Sequence, residues 1–254
     1  MPHSFFNILT LQSNSEKMKF GVVTFPGSNC DQDLIHVLRN VMGCDVIELF
    51  HKQNDLGGLT TSDCIMLPGG FSYGDALRTG AIARFSPIMQ AVLQHCNSGG
   101  FAWGICNGFQ ILCEAGLLPG VLLENSNQQF ICKNIFVTAE NKSSRINAHL
   151  PVKHPLKIPI AHAEGRFHTD AKTLKEIIKN DQIIFRYCDE HGEITNDANP
   201  NGALYNIAGI CNKERNVFGM MPHPERASEE ALGNTDGRMI FESFLVQTPV
   251  ASMV

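Results

Sequence analysis

The group in this chain whose setting points most directly to chemistry is a cysteine between glycines, Gly104-Ile105-Cys106-Asn107-Gly108. An apolar run, Phe101 to Trp103, leads into it, and a helical pattern of Ile111, Leu112 and Ala115 follows. Strand, sharp turn with the nucleophile at its tip, then helix is the layout of a nucleophile elbow, with cysteine here in the place that serine takes in hydrolases. Such a turn strains the backbone and crowds its neighbours, which is why glycines flank it. At the tip a thiol is presented to a ligand, and the start of the next helix favours its thiolate.

A cysteine nucleophile needs a base for its proton and a third group to hold the base. Among ten histidines, His223 stands out because Pro222-His223-Pro224-Glu225-Arg226 directly follows a strand-like run, Val217 to Met221. The flanking prolines argue against a helix and predict an extended backbone. In that conformation His223 and Glu225 point to the same side, so the carboxylate takes one ring nitrogen and the other faces the thiol. A third loop, Pro68-Gly69-Gly70-Phe71-Ser72-Tyr73-Gly74-Asp75, also follows a strand, Cys64 to Leu67. Its glycines let backbone amides face a ligand, while it lacks the Lys-Ser/Thr ending of a P-loop and the Gly-x-Gly-x-x-Gly spacing. The parts together describe acyl transfer. Cys106 attacks a carbonyl, the amides of Asn107 and of a glycine in Gly69-Gly70 donate to the oxyanion, His223 returns the proton to the leaving group, and water resolves the thioester.

The elements that must position these groups alternate. Lys19 to Phe25 reads as a buried strand closed by Pro26-Gly27, and Ser28, Asn29 or Asp31 can cap a helix carrying Leu34, Val37, Leu38 and Val41. Asp45 to Phe50 and Cys64 to Leu67 read as strands, and Ser86-Pro87 as the cap and first position of a helix with Ile88, Ala91, Val92 and Cys96 on one face. This is a doubly wound α/β sheet of the flavodoxin-like kind, mostly parallel with flanking helices, in which ligands sit beyond the carboxyl ends of the strands. Ile131 to Thr138, Ile183 to Cys188 and Ala203 to Ile210 read as strands, a helix is expected near Thr173 to Lys179, and runs of strands there predict antiparallel additions. A last helix places Ile240, Phe241, Phe244 and Leu245 on one face, and the tail after Pro249 reads as loose. Residues 1–17 read as a disordered N-terminal extension and 18–254 as a single domain.

A net charge of −5 argues against a nucleic-acid or anionic-membrane surface, and no apolar run has the length of a membrane-spanning helix. Nine cysteines without Cys-x-x-Cys pairs suit a reducing cytoplasm rather than a disulfide framework. His162, Glu164 and His168 form a rival metal-ligand set but lack the helical pair spacing, so no metal is expected, and Cys188-x-x-His191 has no second pair and reads as structural. A cysteine hydrolase or chaperone-like protein on the same sheet and a non-catalytic binding domain are the competing classes.

With Gly104-Ile105-Cys106-Asn107-Gly108-Phe109-Gln110 and the distant Pro222-His223-Pro224-Glu225-Arg226, the chain resembles the class I (triad type) glutamine amidotransferases. Phe25-Pro26-Gly27-Ser28-Asn29-Cys30-Asp31, the Pro68–Asp75 loop, Ala227-Ser228-Glu229-Glu230 and Thr235-Asp236-Gly237 point to the branch serving purine biosynthesis, over about residues 18–247. The resemblance implies Cys106 as nucleophile, His223 and Glu225 as its partners, Gly70 and Asn107 as oxyanion donors, and Gln110 as a group that holds substrate glutamine. It also implies delivery of ammonia to a separate ATP-dependent synthetase chain, which converts formylglycinamide ribonucleotide to its amidine, and a small third subunit. No cofactor is implied in this chain, whereas ATP and magnesium belong to the synthetase. Where the family has His-Gly-Glu-Gly this chain has His162-Ala163-Glu164-Gly165, which bears on how that loop meets its partner. Phe71 to Arg78, on the same rim, is a candidate docking surface.

Overall fold

The computed structural model describes residues 17–246. In chain order the strands and helices are β1 (Phe20–Thr24), α1 (Asp31–His36), β2 (Val46–Phe50), β3 (Cys64–Leu67), α2 (Ile88–Asn97), β4 (Phe101–Ile105) and α3 (Asn107–Glu114). They continue with β5 (Val121–Leu123), β6 (Ile131–Ala139), β7 (Leu156–His162), β8 (Arg166–His168), α4 (Ala171–Lys179), β9 (Ile183–Cys188), β10 (Ile207–Cys211), β11 (Val217–Met220) and α5 (Asp236–Leu245). A nine-stranded sheet runs β2-β1-β3-β4-β11-β10-β9-β6-β7, and β5 pairs with β8 separately. From β2 through β11 every pairing is parallel, and from β11 to β7 every pairing is antiparallel. The α/β architecture expected from the sequence is therefore present, with its parallel half built by β-α-β units and its antiparallel half by the long second part of the chain.

The parallel strands are buried on both faces, so β3 (Cys-Ile-Met-Leu) is apolar throughout rather than alternating. Trp103 on β4 is fully buried, with the tilted rings of Phe241 and Phe244 of α5 packed against it at centroid separations of 5.0 and 5.6 Å. On the same strand pair, Gly219 of β11 leaves the space that the Phe109 ring of α3 fills.

Several boundaries differ from the sequence expectation, each for a local reason. The helix after β1 is α1 followed by a π-helical turn over Val37–Val41, and its N-cap is Cys30, without a side-chain cap. Ser28 instead accepts a hydrogen bond from the Phe25 amide at 3.2 Å. Ser86 likewise does not cap α2, because its hydroxyl is engaged with the Tyr73 phenol at 2.9 Å. Residues 204–206 form a 3-10 turn rather than the start of β10, since Tyr205 adopts a positive φ of 57°. The short strands β5 and β8, together with β7, were hidden in the sequence; in β7 Pro159, which argues against a strand, is tolerated because β7 is an edge strand. The expectations for residues 1–16 and for the tail after Pro249 lie outside the described residues.

The antiparallel half curls back over the parallel half. In a flat sheet β7 would stand roughly 19 Å from β11, four strand spacings away. Instead the amide of His223, just past β11, donates to the carbonyl of Pro159 in β7 at 2.9 Å.

Candidate functional site

Four adjacent parallel strands, β1, β3, β4 and β11, deliver Cys30, Gly69, Cys106 and His223 to one end of the sheet. Cys106 sits at the tip between β4 and α3 with φ 51° and ψ −107°, a conformation that non-glycine residues adopt only when their surroundings impose it. Its amide donates to the Met220 carbonyl of β11 at 2.7 Å, and its Sγ rests 3.8 Å from the carbonyl oxygen of Ala161 in β7. The elbow is thus held from both halves of the sheet.

His223 and Glu225 meet as the sequence suggests, by a different backbone. The segment is not extended: Pro224 opens a 3-10 turn over Pro224–Ala227, at whose first position a proline's missing N–H costs nothing. His223 precedes that turn at φ −102° and ψ 86°, and its Nδ1 lies 2.6 Å from Glu225 Oε1. Both are almost completely buried, 1% and 2% exposed, which removes water as a competitor for the bond. His223 Nε2 is buried without a well-formed hydrogen bond, while the thiols of Cys106 and Cys30 stand close enough to act on the ring. Burial works against a charged imidazole, but Glu225, then Cys106 and Cys30, outweigh it and hold His223 well above its ordinary value. A ring that keeps its proton beside a thiol is the half of an ion pair that supports a thiolate.

The glycine loop is fixed against the elbow. Gly70 adopts φ 135° and pairs with Ser28 beyond β1, and the side chain of Asn107 accepts from the Ser72 amide at 3.1 Å. Tyr73 anchors the far side of the loop through its hydroxyl, 2.7 Å from His51 Nδ1. Among the described residues the N–H groups of Gly70 and Asn107 donate to no protein acceptor. Gln110 is 4% exposed, accepts from Asn107 at 2.9 Å and donates to the Glu164 carbonyl at 2.6 Å. Its amide thereby ties α3 to the loop after β7. Glu164 also receives the Thr79 hydroxyl at 2.6 Å. Nearby Asp75 is pushed up to about 6 by burial and then by the charge of Glu164.

His162, Glu164 and His168 do not converge: His162 Nδ1 lies 3.1 Å from Asn125 Oδ1, Glu164 is engaged with Thr79, and His168 is exposed. Burial, then the charge of His223, lowers His162 to about 4, so it lines the site as a neutral ring. Ala163 is exposed, and its methyl meets no left-handed backbone requirement. Cys188 is buried and His191 exposed.

Two residues at the site escaped the sequence reading. Cys30 is 2% exposed, and its Sγ lies 3.1 Å from the Arg226 guanidinium. Arg226 in turn reaches Asp33 at 3.0 Å, tying α1 to the His223 turn. Both lie in stretches that carry the family resemblance but received no role there; the adjacency of β1 to β3 brings the loop after β1 into the site.

The chain as a whole is similar to known proteins. The chain is 53% identical over 228 residues to the phosphoribosylformylglycinamidine synthase subunit PurQ of Moorella thermoacetica, covering 90% of this chain and 95% of that one. It is 54% identical to the protein of the same name from Koribacter versatilis, covering 90% and 97%. A chain in the structure of PurLQS from Thermotoga maritima superposes with a TM-score of 0.78 at 39% identity, covering 90% of this chain and 98% of that one. A more distant glutamine amidotransferase from Thermotoga maritima, at 13% identity and a TM-score of 0.53 over 91% of each chain, shares the fold. The model of the CobB/CobQ-like glutamine amidotransferase domain matches residues 17–239, from before β1 into α5, and it is to this family of glutamine amidotransferases that the chain belongs.

Proposed function

We propose that this chain is the glutaminase subunit of phosphoribosylformylglycinamidine synthase; its relatives are named as the PurQ subunit of that synthase. In this reading Cys106, as thiolate, attacks the side-chain amide carbon of glutamine. The oxyanion is met by the amides of Gly70 and Asn107, and Gly69 keeps the loop close enough for that approach. His223, oriented by Glu225, gives its proton to the leaving nitrogen, so ammonia departs and a γ-glutamyl thioester remains. His223 then takes a proton from water, which attacks the thioester and releases glutamate and the thiol. Gln110, bonded to Asn107 and to the Glu164 carbonyl, helps to hold substrate glutamine in this reading.

One observation carries the proposal: a cysteine at φ 51° abuts an imidazole whose other nitrogen is 2.6 Å from a buried carboxylate. The ammonia serves a separate ATP- and magnesium-dependent synthetase, PurL, with a small third subunit, PurS; the Thermotoga maritima assembly named PurLQS supports this. The exposed Leu77 and Phe71, 93% and 45% accessible, are fitting contacts for that partner. Residues 18–254 are read as a single amidotransferase domain preceded by an extension. No helix among the described residues is long and apolar enough to cross a membrane, and a role in purine synthesis assigns the chain to the cytoplasm.

The test is covalent capture. An electrophilic glutamine analogue is expected to label Cys106 and to abolish glutamine hydrolysis, which should be faster in the presence of the synthetase. Labelling elsewhere, or equal hydrolysis by Cys106→Ala, would overturn the assignment.

A further inference from the structure

Cys30 has no part in the glutamine chemistry, yet it shares the histidine on which that chemistry depends. Gly69 lies at the centre of this crowding. The Cβ that it lacks would stand 2.7 Å from His223 Cε1, 3.1 Å from Cys30 Sγ and 3.4 Å from Cys106 Cβ. The Cys30 sulfur, the Cys106 side chain at its Cβ and one imidazole therefore crowd a single point left open by a glycine. His223 is 1% exposed, and its Nε2, buried at this place, has no well-formed hydrogen bond. Cys30 Sγ is also held 3.1 Å from Arg226 and donates to Asn29 Oδ1 at 3.1 Å.

We propose that Cys30 is a resolving thiol for Cys106, so that peroxide converts the pair into a Cys30–Cys106 disulfide that switches off the site reversibly. This rests on the reading of Cys106 as the reactive nucleophile. The Cys106 thiolate attacks one oxygen of hydrogen peroxide and the O–O bond breaks; the departing hydroxide takes a proton from the His223 imidazolium and leaves as water. Cys106 is then a sulfenic acid. The Cys30 sulfur, having given its proton to His223, attacks the Cys106 sulfur. The S–O bond breaks, the hydroxide regains that proton as water, and the S–S bond forms. Two thiols lose two electrons in all, and peroxide is reduced to two waters.

Placement distinguishes Cys30 from the other cysteines. Cys64 and Cys211 lie within strands of the sheet and Cys96 within α2, whereas Cys132 is exposed on β6. Burial raises the Cys30 thiol, against which His223 and Arg226 pull it down. The step needs no strongly acidic thiol at Cys30, because a neighbour on the same imidazole acts at a high effective concentration. Without Cys30, a sulfenic acid at Cys106 has no local partner and proceeds to sulfinic acid, which thiols do not reverse.

The purified full chain is treated with hydrogen peroxide, digested without reduction and read by mass spectrometry. In parallel, the electrophilic glutamine analogue is applied before oxidation, after it, and after subsequent dithiothreitol. The expected result is a Cys30–Cys106 linked peptide, loss of analogue labelling, and its recovery with dithiothreitol. In Cys30→Ser, and in Cys30→Ala if the serine variant folds poorly, peroxide should give Cys106 sulfinic acid and labelling that dithiothreitol does not restore. The inference is overturned if wild-type Cys106 proceeds to sulfinic acid while Cys30 stays a free thiol, or if Cys106 pairs with another cysteine. Untreated protein that labels at Cys106 in those cases leaves the glutaminase reading standing; failure to label it before oxidation refutes that reading instead.

Discussion

Gly108 in the first turn of α3 packs so tightly on Leu67, the last residue of β3, that any side-chain carbon at 108 would overlap the Leu67 carbonyl. The glycine after the cysteine is thus required by the approach of helix to strand, in addition to the turn itself. Gly104 has the same relation to the Gly108 backbone. Replacing Gly108 by alanine must displace backbone, which no rotamer can relieve. Gly108→Ala is expected to lose about 1–3 kcal/mol of stability by urea unfolding. Labelling of Cys106 by the glutamine analogue should fall with it, because the tip moves with α3. An unchanged unfolding midpoint would show that the contact yields easily.

The bond from Glu225 to His223 Nδ1 fixes which ring nitrogen carries the proton and supports the charged ring. Glu225→Gln retains the shape but can also present an amide N–H to the ring, and it removes the carboxylate that holds the imidazole up. Glutamine hydrolysis is expected to fall about 10²–10⁴-fold in kcat with little change in KM. The His223 ring resonances should titrate at lower pH than in the parent. A drop in KM-dependent binding alone, with kcat preserved, would contradict the orienting role.

His162 carries a pH signature of its own. Its ring is lowered from 6.5 to about 4 by burial and by His223, so on acidification the unfolded chain takes up the proton first. The stability it contributes is complete above about pH 6.5 and is lost as pH falls towards 4, on the order of 3 kcal/mol in all. His162→Gln should flatten the dependence of unfolding free energy on pH across that window. The same slope in the parent and the variant would mean that the ring titrates freely in the folded protein.

What could be read in advance and what could not divide along a physical line. The elbow and the strands before it were legible because each is local: an apolar run, a glycine turn and a helical period lie within about a dozen residues. His223 and Glu225 could be paired from their types, but the backbone joining them was misjudged, since a proline can open a 3-10 turn as readily as it prolongs an extended segment. β7 was missed because Pro159 argues against a strand, and its edge position, which makes the proline acceptable, is a property of the whole sheet. Cys30 and Arg226 belong to the same class. They come together across 196 positions of sequence through strand order alone, which no window along the chain can register.

The order of those strands also sets a timetable. β4, which carries Cys106, pairs on one side with β3, made earlier, and on the other with β11, the last strand among the described residues. The ribosome releases residues from the N-terminus onward, so the strands up to β4 can associate while more than a hundred residues are still to be added. During that interval the thiol has neither the Met220 carbonyl that fixes its amide nor the imidazole that shares its proton. The nascent chain therefore carries an unarmed cysteine until β11 and His223 have been made.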